Sequence, residues 1–512
     1  MRRRKRTRPS DSAKLVQWLF LRGLGAVYFI AFRSLAPQVL GLFGARGLAP
    51  VREELAGLRS LPLRTRLRLV PSLLWLDPSD RALIALCRKG ETLSLALLLG
   101  VEPRRSLLAL WLLYLSLVSA GGEFLSFQWD VLLLETGLHA LLVAPPGSRA
   151  RLRDPPLAGR LLLRWLAVRL QLESGLCKLQ SKDPTWRSCT ACTYHYETQP
   201  LPTRIGWYVH HLPRRLQIVS TFIALGIELA APPLALLPGR ILRGFRLASF
   251  ASLTVLQLLI ALTGNYGFFN LLTVIDSLWM LDDRALNRLL FPMFKKSRNL
   301  QEYTRRPWWR EVAWSIAASP LALLSFDEIA SRLLHRRLQI PSLTRLRRGL
   351  APLRSINGYG LFAQMTTERP EIAIEGSDDG RTWREYEFRF KPGDPRRPPR
   401  QAAPHQPRLD WQMWFAALDG APDWFPRLLQ RLLENEPTVT ALLARNPFPM
   451  RPPRFVRAVL YEYRMTSLAE HRESGAYWRR RPLGLYFPPC TLAHRNGATA
   501  PERSWAEPPH AS

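Results

Sequence analysis

The stretch LASFASLTVLQLLIALTG (residues 247–264) decides the fold class, because it contains no charged residue along its whole length. An apolar α-helix of about 20 residues is long enough to cross the hydrocarbon core of a bilayer. Similar apolar segments lie on both sides of it, at about 15–30, 83–100, 106–119, 124–144, 157–177, 216–237, 267–281 and 309–325. The pattern predicts an all-α transmembrane helix bundle. We expect five to nine spans, since the shortest segments could be tilted or re-entrant.

The distribution of charge divides the chain into two parts. Its 512 residues include 72 Lys and Arg against 40 Asp and Glu, a net charge of +32, of which residues 351–512 contribute only +5. The other +27 lies in the first 350 residues, where arginines flank the apolar segments as charges do at the ends of membrane spans. Nucleic-acid-binding proteins instead carry basic residues on a soluble face. The composition therefore indicates a lipid bilayer as partner and argues against nucleic acid.

The N-terminal half is predicted to be membrane-embedded from residue 15 to about 330. The chain begins MRRRKRTR and becomes apolar at Leu15, which predicts a basic cytoplasmic tail over residues 1–14 and an uncleaved first span. If all nine segments cross, most basic loops fall inside, while a long loop at about 178–215 and everything after about 326 fall outside. The basic loop from Arg46 to Arg81 is an exception. We interpret it as an amphipathic segment in the membrane interface.

From about residue 350 the pattern becomes that of a mainly-β soluble domain with a few helices, over residues 350–490. Residues 369–377 (RPEIAIEGS), a turn at 378–380 and residues 382–390 (TWREYEFRF) predict a hairpin, in which Tyr386, Phe388 and Phe390 share one face. A further strand is predicted over Arg454–Arg464. The tail, residues 491–512, is predicted to be disordered.

Two helices are predicted within this domain, over Asp410–Leu418 and Trp424–Leu433. Asp410 is the expected N-cap of the first helix, because a carboxylate there accepts hydrogen bonds from backbone N–H groups. Trp411, Trp414 and Phe415 follow at i, i+3 and i+4, a spacing more typical of a core-facing helix than of a binding platform.

Ionisable residues inside the apolar segments are candidate functional groups, because a charge in hydrocarbon needs a partner or a wet cavity. Asp130 and Glu135 lie in one segment, and Arg169 and Glu173 in the next, its expected antiparallel neighbour. Two interpretations stay open: a polar cavity that binds a ligand or lipid headgroup, and an ion-pair network between helices. The full set is Glu123, Asp130, Glu135, Arg160, Arg164, Arg169, Glu173, Lys178 and Glu228.

The outside loop contains the motif Cys189-Thr-Ala-Cys192, which has the spacing of a redox pair but lacks the strand-to-helix context that lowers a thiol pKa. It fits a candidate disulfide or inert thiols, a redox pair, or a metal site completed by His195 and by His210 or His211. The chain has no nucleophile elbow, phosphate-cradling glycine loop or HExxH motif. We therefore predict no metal, no cofactor and no enzymatic activity.

Six strings in chain order resemble the lipase maturation factor family. They are FRSLAPQVLGLFG (Phe32–Gly44), EFLSFQWDVLLLETG (Glu123–Gly137), KDPTWRSCTACTYHYETQPLPT (Lys182–Thr203), IEGSDDGRTWREYEFRFKPGDPRRPP (Ile374–Pro399), APHQPRLDWQMWFAAL (Ala403–Leu418) and NPFPMRPPRFVRAVLYEYR (Asn446–Arg464).

The resemblance implies a multipass protein of the endoplasmic reticulum membrane, with its C-terminal domain in the lumen. It also implies a chaperone-like function, in which the protein assists the folding and assembly of secreted dimeric lipases. The expected partner is a secreted lipase or another exported client protein. Arginine outnumbers lysine 64 to 8, a bias typical of GC-rich bacterial genomes. In a bacterium the location would be the cytoplasmic membrane with a periplasmic C-terminal domain. Cys189 and Cys192 replace the Leu- or Asn-like residues expected in the family, so no family redox site is carried over.

We take candidate functional residues from three of these strings. Two other function classes stay open: a membrane-embedded enzyme distantly similar to vitamin K-dependent carboxylases, with Lys178, His195 and Glu197 as acid–base candidates, and a transporter. The transporter is the weaker alternative, because no inverted repeat is visible. The candidate functional residues are Trp129, Asp130, Glu135, Tyr194, His195, Tyr196, Glu197, Gln199, Asp410, Trp411 and Trp414, with Cys189 and Cys192 as the candidate disulfide.

Overall fold

A computed structural model describes residues 12–147, 154–238, 242–290 and 307–492. Of the predicted cytoplasmic tail only residues 12–14 are described, and Lys14 already begins the first helix. The predicted disordered tail lies outside the described residues apart from positions 491 and 492.

The N-terminal part is helical, as predicted. Its longer helices are α1 (Lys14–Leu35), α5 (Asp80–Leu99), α6 (Pro103–Ala120), α7 (Gln128–Ala140), α8 (Leu157–Gln180), α12 (Arg214–Leu234), α13 (Arg243–Thr263), α14 (Phe269–Ser277) and α16 (Trp308–Leu333). Shorter helices connect them: α2 (Val39–Phe43), α3 (Val51–Gly57), α4 (Leu63–Leu69), α9 (Pro184–Arg187), α10 (Cys192–Thr198), α11 (Arg204–His210), α15 (Asp283–Leu290) and α17 (Pro341–Leu350).

Four of the described helices, α1, α12, α13 and α16, are long and apolar enough to cross a membrane. This number is lower than the five to nine spans that we predicted. The remaining predicted segments are also helical, but α14 with the turn after it forms a shorter apolar helix, Phe269–Met280. Others carry charges along the helix, as α5 does with Arg88, Lys89 and Glu91. The chain is a multipass membrane protein in which several helices shield polar residues inside the bundle.

Helix α1 lies at the centre of the bundle and packs against α5, α7, α14 and α15. A glycine permits close packing against α5, because a Cβ on Gly90 would lie 2.4 Å from the ring of Phe32. The free N–H groups at the start of α1 are satisfied by a distant residue, since the carboxylate of Asp283 accepts bonds from Lys14, Leu15 and Val16 at 2.9–3.1 Å.

The C-terminal part contains a four-stranded antiparallel sheet of order β2-β1-β3-β4. The strands are β1 (Arg369–Ser377), β2 (Arg384–Glu385), β3 (Phe455–Met465) and β4 (Trp478–Cys490), and the helices are α18 (Arg408–Asp419), α19 (Trp424–Leu433), α20 (Pro437–Thr440) and α21 (Leu468–Ser474). Strand β1, strand β3 and both predicted helices agree with the sequence predictions to within two residues. Strand β4 was not predicted.

The predicted hairpin forms with a much shorter second strand than expected. Regular pairing with β1 covers only Arg384 and Glu385, and Glu387 then forms an isolated bridge to Arg445. The predicted alternation of faces is nevertheless present, because Tyr386 and Phe388 are buried while Arg389 is exposed.

The C-terminal part packs on one end of the helix bundle, and the two share a continuous apolar core whose members run in sequence from Ala13 to Ala458. Asn265, at the end of α13, illustrates how closely they fit. Its side-chain amide donates to the carbonyls of Leu201 and Arg400 and accepts from the N–H groups of Ala402 and Ala403. This is the end where the predicted outside loops lie.

Candidate functional site

Three of the strings that carried the family resemblance meet at the junction between bundle and C-terminal part. Trp129 at the start of α7 and Trp411 of α18 contact each other edge to face, with ring centroids 4.8 Å apart. Phe127 stacks on Trp129 at 4.5 Å. Tyr266, which binds the third string, lies 5.9 Å from Trp411. Such aromatic pairs add stability beyond the area that they bury.

Phe127, Trp129 and Trp411 line a cleft of ≈ 630 Å³, which we call the aromatic cleft. Its walls come from the start of α7, from the loop 360–364, from α18 and from residues 420–422. Phe362, Trp414 and Phe415 are only partly buried, so aromatic surface faces the open side. Polar side chains stand at its edge: Glu123, Gln128, Gln364, Gln412 and Asp419. A mainly apolar cleft with a few polar groups is the usual form of a binding site.

A buried ion pair joins the two parts beside the cleft. Arg408 of α18 is bidentate to Asp130 of α7, with both N···O distances 2.8 Å, and it also donates to the carbonyl of Phe124. Tyr114 donates to the same carboxylate. Arg408 and Asp130 are almost completely buried. The arginine's planar fork suits this geometry. Asp130 was a candidate in the sequence, but Arg408 was not.

A second buried cluster favours the ion-pair interpretation of the intramembrane charges. Arg169 of α8 contacts Glu135 of α7 and lies 3.5 Å from Glu173. A segment that follows α17 closes the cluster: Asn357 N–H and the Tyr359 hydroxyl donate to Glu135 at 2.9 and 2.8 Å, and Tyr359 N–H donates to Glu173. The charges form an ion-pair network that is completed by the C-terminal part.

Asp410 corrects the sequence prediction. It is not an N-cap, because α18 begins two residues earlier, at Arg408 after Pro407. Its carboxylate instead accepts from the N–H groups of Phe390 and Lys391 at 2.7 and 2.9 Å. Asp410 therefore fixes the chain that leaves the predicted hairpin, and burial raises the pKa of its carboxyl.

The string around α10 is bound by the sheet. Glu197 accepts from the N–H of Met465 at 2.6 Å and lies 3.4 Å from Arg464. Arg369, at the start of β1, donates to the carbonyls of Glu197 and Gln199, and the indole N–H of Trp414 donates to Thr198. Glu197 thus anchors the loop. Arg369 performs the same task from the sheet side and was missed, since nothing in its neighbourhood marks it as buried.

His195 lies behind the cleft wall. Its ring is 4.9 Å from that of Phe362, and its Nε2 is 3.2 Å from the hydroxyl of Tyr266, which also donates to Gln199. Burial and then the charge of Lys178 lower the pKa of His195 to about 4. The ring is therefore neutral near pH 7. Tyr194 and Tyr196 flank it and are partly buried.

Cys189 and Cys192 are free thiols, so the candidate disulfide is not formed. The backbone N–H of Cys192 donates to Thr221 of α12, and burial raises the pKa of its thiol. A raised pKa leaves less of the reactive thiolate. His211, considered as a metal ligand, instead bonds through its ring nitrogens to the carbonyls of Trp207 and Thr466, both at 2.7 Å.

The three acid–base candidates do not converge on one point. Lys178 is buried against Glu228, with its Nζ 2.5 Å from both carboxylate oxygens. His195 and Glu197 have the separate partners described above. The junction therefore contains a mostly apolar cleft beside buried ion pairs.

Both parts of the chain match models of known protein domains. Residues 15–288 match the family model described as lipase maturation factor transmembrane domain, and residues 355–488 match the lipase maturation factor C-terminal domain. The chain is 35% identical to lipase maturation factor 2 of Homo sapiens, over 94% of this chain and 83% of that protein. It is 34% identical to lipase maturation factor 1 of Bos taurus, over 96% of this chain and 92% of that protein. No solved structure matches the chain.

Proposed function

The chain belongs to the lipase maturation factor family, and from this premise we propose that it assists the folding and assembly of secreted lipases or other exported proteins. The relatives are named as maturation factors, and we propose a non-enzymatic role here. We also propose the endoplasmic reticulum membrane as the location in a eukaryote, and the cytoplasmic membrane with the C-terminal part in the periplasm in a bacterium.

The aromatic cleft carries this proposal, because the two family-matched parts of the chain meet there. A client that is not yet folded exposes apolar and aromatic side chains. Partly exposed rings such as Trp414 and Phe415 can pack against them, while the polar edge binds the flanking peptide. The cleft also lies at the end of the bundle where an exported client would emerge. We infer that the client binds in the cleft through an apolar segment.

The buried charges support an architectural role. Each intramembrane carboxylate discussed above has a partner within the chain, and Lys178, His195 and Glu197 have separate partners. Neither a carboxylase nor a transporter is supported by the comparisons. The charge clusters hold the two walls of the cleft together, and the cleft itself is the contact surface.

The test is to co-express the full chain with a secreted dimeric lipase in cells that lack their own maturation factor. Ala421 lies exposed on the cleft wall, so Ala421→Arg should obstruct the cleft without disturbing the core. We expect secreted lipase activity per synthesised lipase to fall several-fold for this variant and for Trp414→Ala. The membrane abundance of each variant shows whether it folds.

The control is Leu483→Ala with Leu485→Ala, which removes exposed apolar surface from two residues of β4 that do not line the cleft. These changes should leave lipase activity unchanged. Normal lipase activity with Ala421→Arg at normal abundance would exclude the cleft as the client site. Unchanged activity in cells without the chain altogether would exclude the maturation role for that lipase.

A further inference from the structure

The segment Leu63–Leu76, which includes α4, presents leucines to its surroundings. No residue of α4 is buried, and Leu63, Leu69 and Leu76 are 57%, 57% and 86% exposed. Several exposed leucines within one short segment are typical of a contact with a membrane or another molecule. We call residues 63–76 the leucine–arginine segment. It belongs to the basic loop that departed from the charge pattern of the other loops.

The leucine–arginine segment is firmly attached to the bundle. The hydroxyl of Ser72 donates to the carbonyl of Ser116 at 2.9 Å, and Leu73 N–H donates to the Ser116 hydroxyl at 3.0 Å. Ser116 lies one turn before the end of α6 on the side of the C-terminal part. The segment is therefore held against α6 near the end of that helix that faces the C-terminal part.

The cations of this region have no acidic partner among the residues that the structure describes. Arg64, Arg66 and Arg68 of α4 and Arg88 and Lys89 of α5 form no salt bridge with any residue that the structure describes. Glu91, the nearest acidic residue along α5, lies 3.8 Å from Arg33 instead. Arg66 stacks on Trp75, 5.2 Å from its ring centroid. The positive charge of these side chains is therefore available to an anion that is not part of the described chain.

A groove of ≈ 500 Å³ lies between the leucine–arginine segment, α5 and α6. Leu73 of the segment lines it together with Leu93, Leu112 and Leu113, and so do the two cations of α5, Arg88 and Lys89. Long basic side chains beside apolar surface keep their charged ends in the polar headgroup layer. A groove lined by leucines and by two cations fits the two halves of a phospholipid, acyl chain and phosphate.

We propose that this groove binds an anionic phospholipid from the leaflet on the side of the C-terminal part, with its phosphate at Arg88 and Lys89 and an acyl chain along the leucines. The leucine–arginine segment lies beside it in the membrane interface. This site is separate from the aromatic cleft and does not depend on the proposed maturation role.

The test measures lipid retention by the purified full chain in detergent, by native mass spectrometry with added phosphatidylserine or phosphatidylcholine. We expect preferential retention of phosphatidylserine. Each cation near an anionic lipid strengthens binding by about fivefold, so Arg88→Gln with Lys89→Gln should weaken it by about 30-fold. Arg451→Gln with Arg454→Gln removes two exposed charges from the C-terminal part and should leave lipid retention unchanged.

Thermal unfolding of each variant verifies that its fold is intact, which we expect because Arg88 and Lys89 are exposed. Equal retention of both lipids by the wild type would overturn the proposal. Undiminished retention of phosphatidylserine by the variant with Arg88→Gln and Lys89→Gln would also overturn it. So would displacement of the lipid by an equal concentration of inorganic phosphate, because the site would then recognise a soluble anion.

Discussion

At the junction of the bundle and the C-terminal part, Arg169 and Arg408 are buried against carboxylates, whereas Arg64 and Arg68 in the leucine–arginine segment are exposed. The two buried arginines, Arg169 and Arg408, form hydrogen bonds and ion pairs with carboxylates of the same chain. The exposed pair has no ion-pair partner among the described residues. Both pairs lie beside apolar sequence, so composition alone does not separate them.

The difference teaches what each charge contributes. A buried ion pair matters for stability mainly because removing one partner leaves the other charge buried and unpaired, which destabilises the folded state. An exposed charge adds little to stability and remains available to a ligand. We therefore expect substitutions at the junction to change folding, and substitutions in the leucine–arginine segment to change lipid binding alone.

The largest effect is expected for Arg408→Leu, because it leaves the carboxylate of Asp130 buried without its positive partner. Breaking a buried pair in this way typically costs about 3–5 kcal/mol. Thermal unfolding of the purified protein in detergent should show a large loss of stability, and less protein should accumulate in the membrane.

The double variant Asp130→Asn with Arg408→Gln is the matched control, since it removes both charges together. It should be more stable than Arg408→Leu alone, because no unpaired charge is left buried. If Arg408→Leu and the double variant unfold at the wild-type temperature, the junction is not held by this pair and the contrast with the exposed arginines disappears.

The sequence predicted the elements whose pattern is local. Strand β3, helix α19 and the buried face of Tyr386 and Phe388 follow from alternation or helical spacing. Strand β4 was missed because its sequence WRRRPLGLYFPPC contains three prolines, which argue against a strand. It is nevertheless held by pairing with β3, with register shifts along it.

The junction was only half predictable, for a similar reason. Asp130, Glu135 and Glu173 were noticed because they interrupt apolar segments. Their partners Arg408, Asn357 and Tyr359 stand in polar, proline-containing or irregular stretches that give no sign of burial. Only the fold brings Arg408 to Asp130 across 278 positions. The prediction that Asp410 is an N-cap was wrong for a more local reason, since helix α18 starts two residues earlier than the cap pattern indicated.

A smaller, pH-dependent effect is expected at the same junction from His405, whose Nδ1 is 2.9 Å from the hydroxyl of Ser34 in α1. Burial, followed by the charges of Arg408 and Arg389, lowers the pKa of His405 to about 4, against about 6.5 in an unfolded chain. Its contribution to stability is therefore complete above pH 6.5 and is lost as the pH falls towards 4.

His405→Asn keeps a polar group near Ser34 but cannot titrate in this range. Between pH 7.5 and pH 5 its stability should fall less than that of the wild type, by on the order of 1 kcal/mol after solvent screening. The exposed His335 supplies the control, and His335→Asn should follow the wild-type pH profile. A His405→Asn profile identical to the wild type would show that the junction is not sensitive to acid through this ring.

The smallest effect on stability is expected for Arg64→Gln with Arg68→Gln, and it tests the other side of the comparison. Exposed substitutions without partners change stability by no more than about 0.5 kcal/mol, so thermal unfolding in pure detergent should match the wild type. When phosphatidylserine is added, the wild type should be stabilised more than the variant, because ligand binding to the folded state raises the unfolding temperature and the variant has less positive charge beside the lipid. A clear loss of stability in detergent alone would mean that these arginines serve the fold as Arg408 does, and the distinction between paired and unpaired charge would fail.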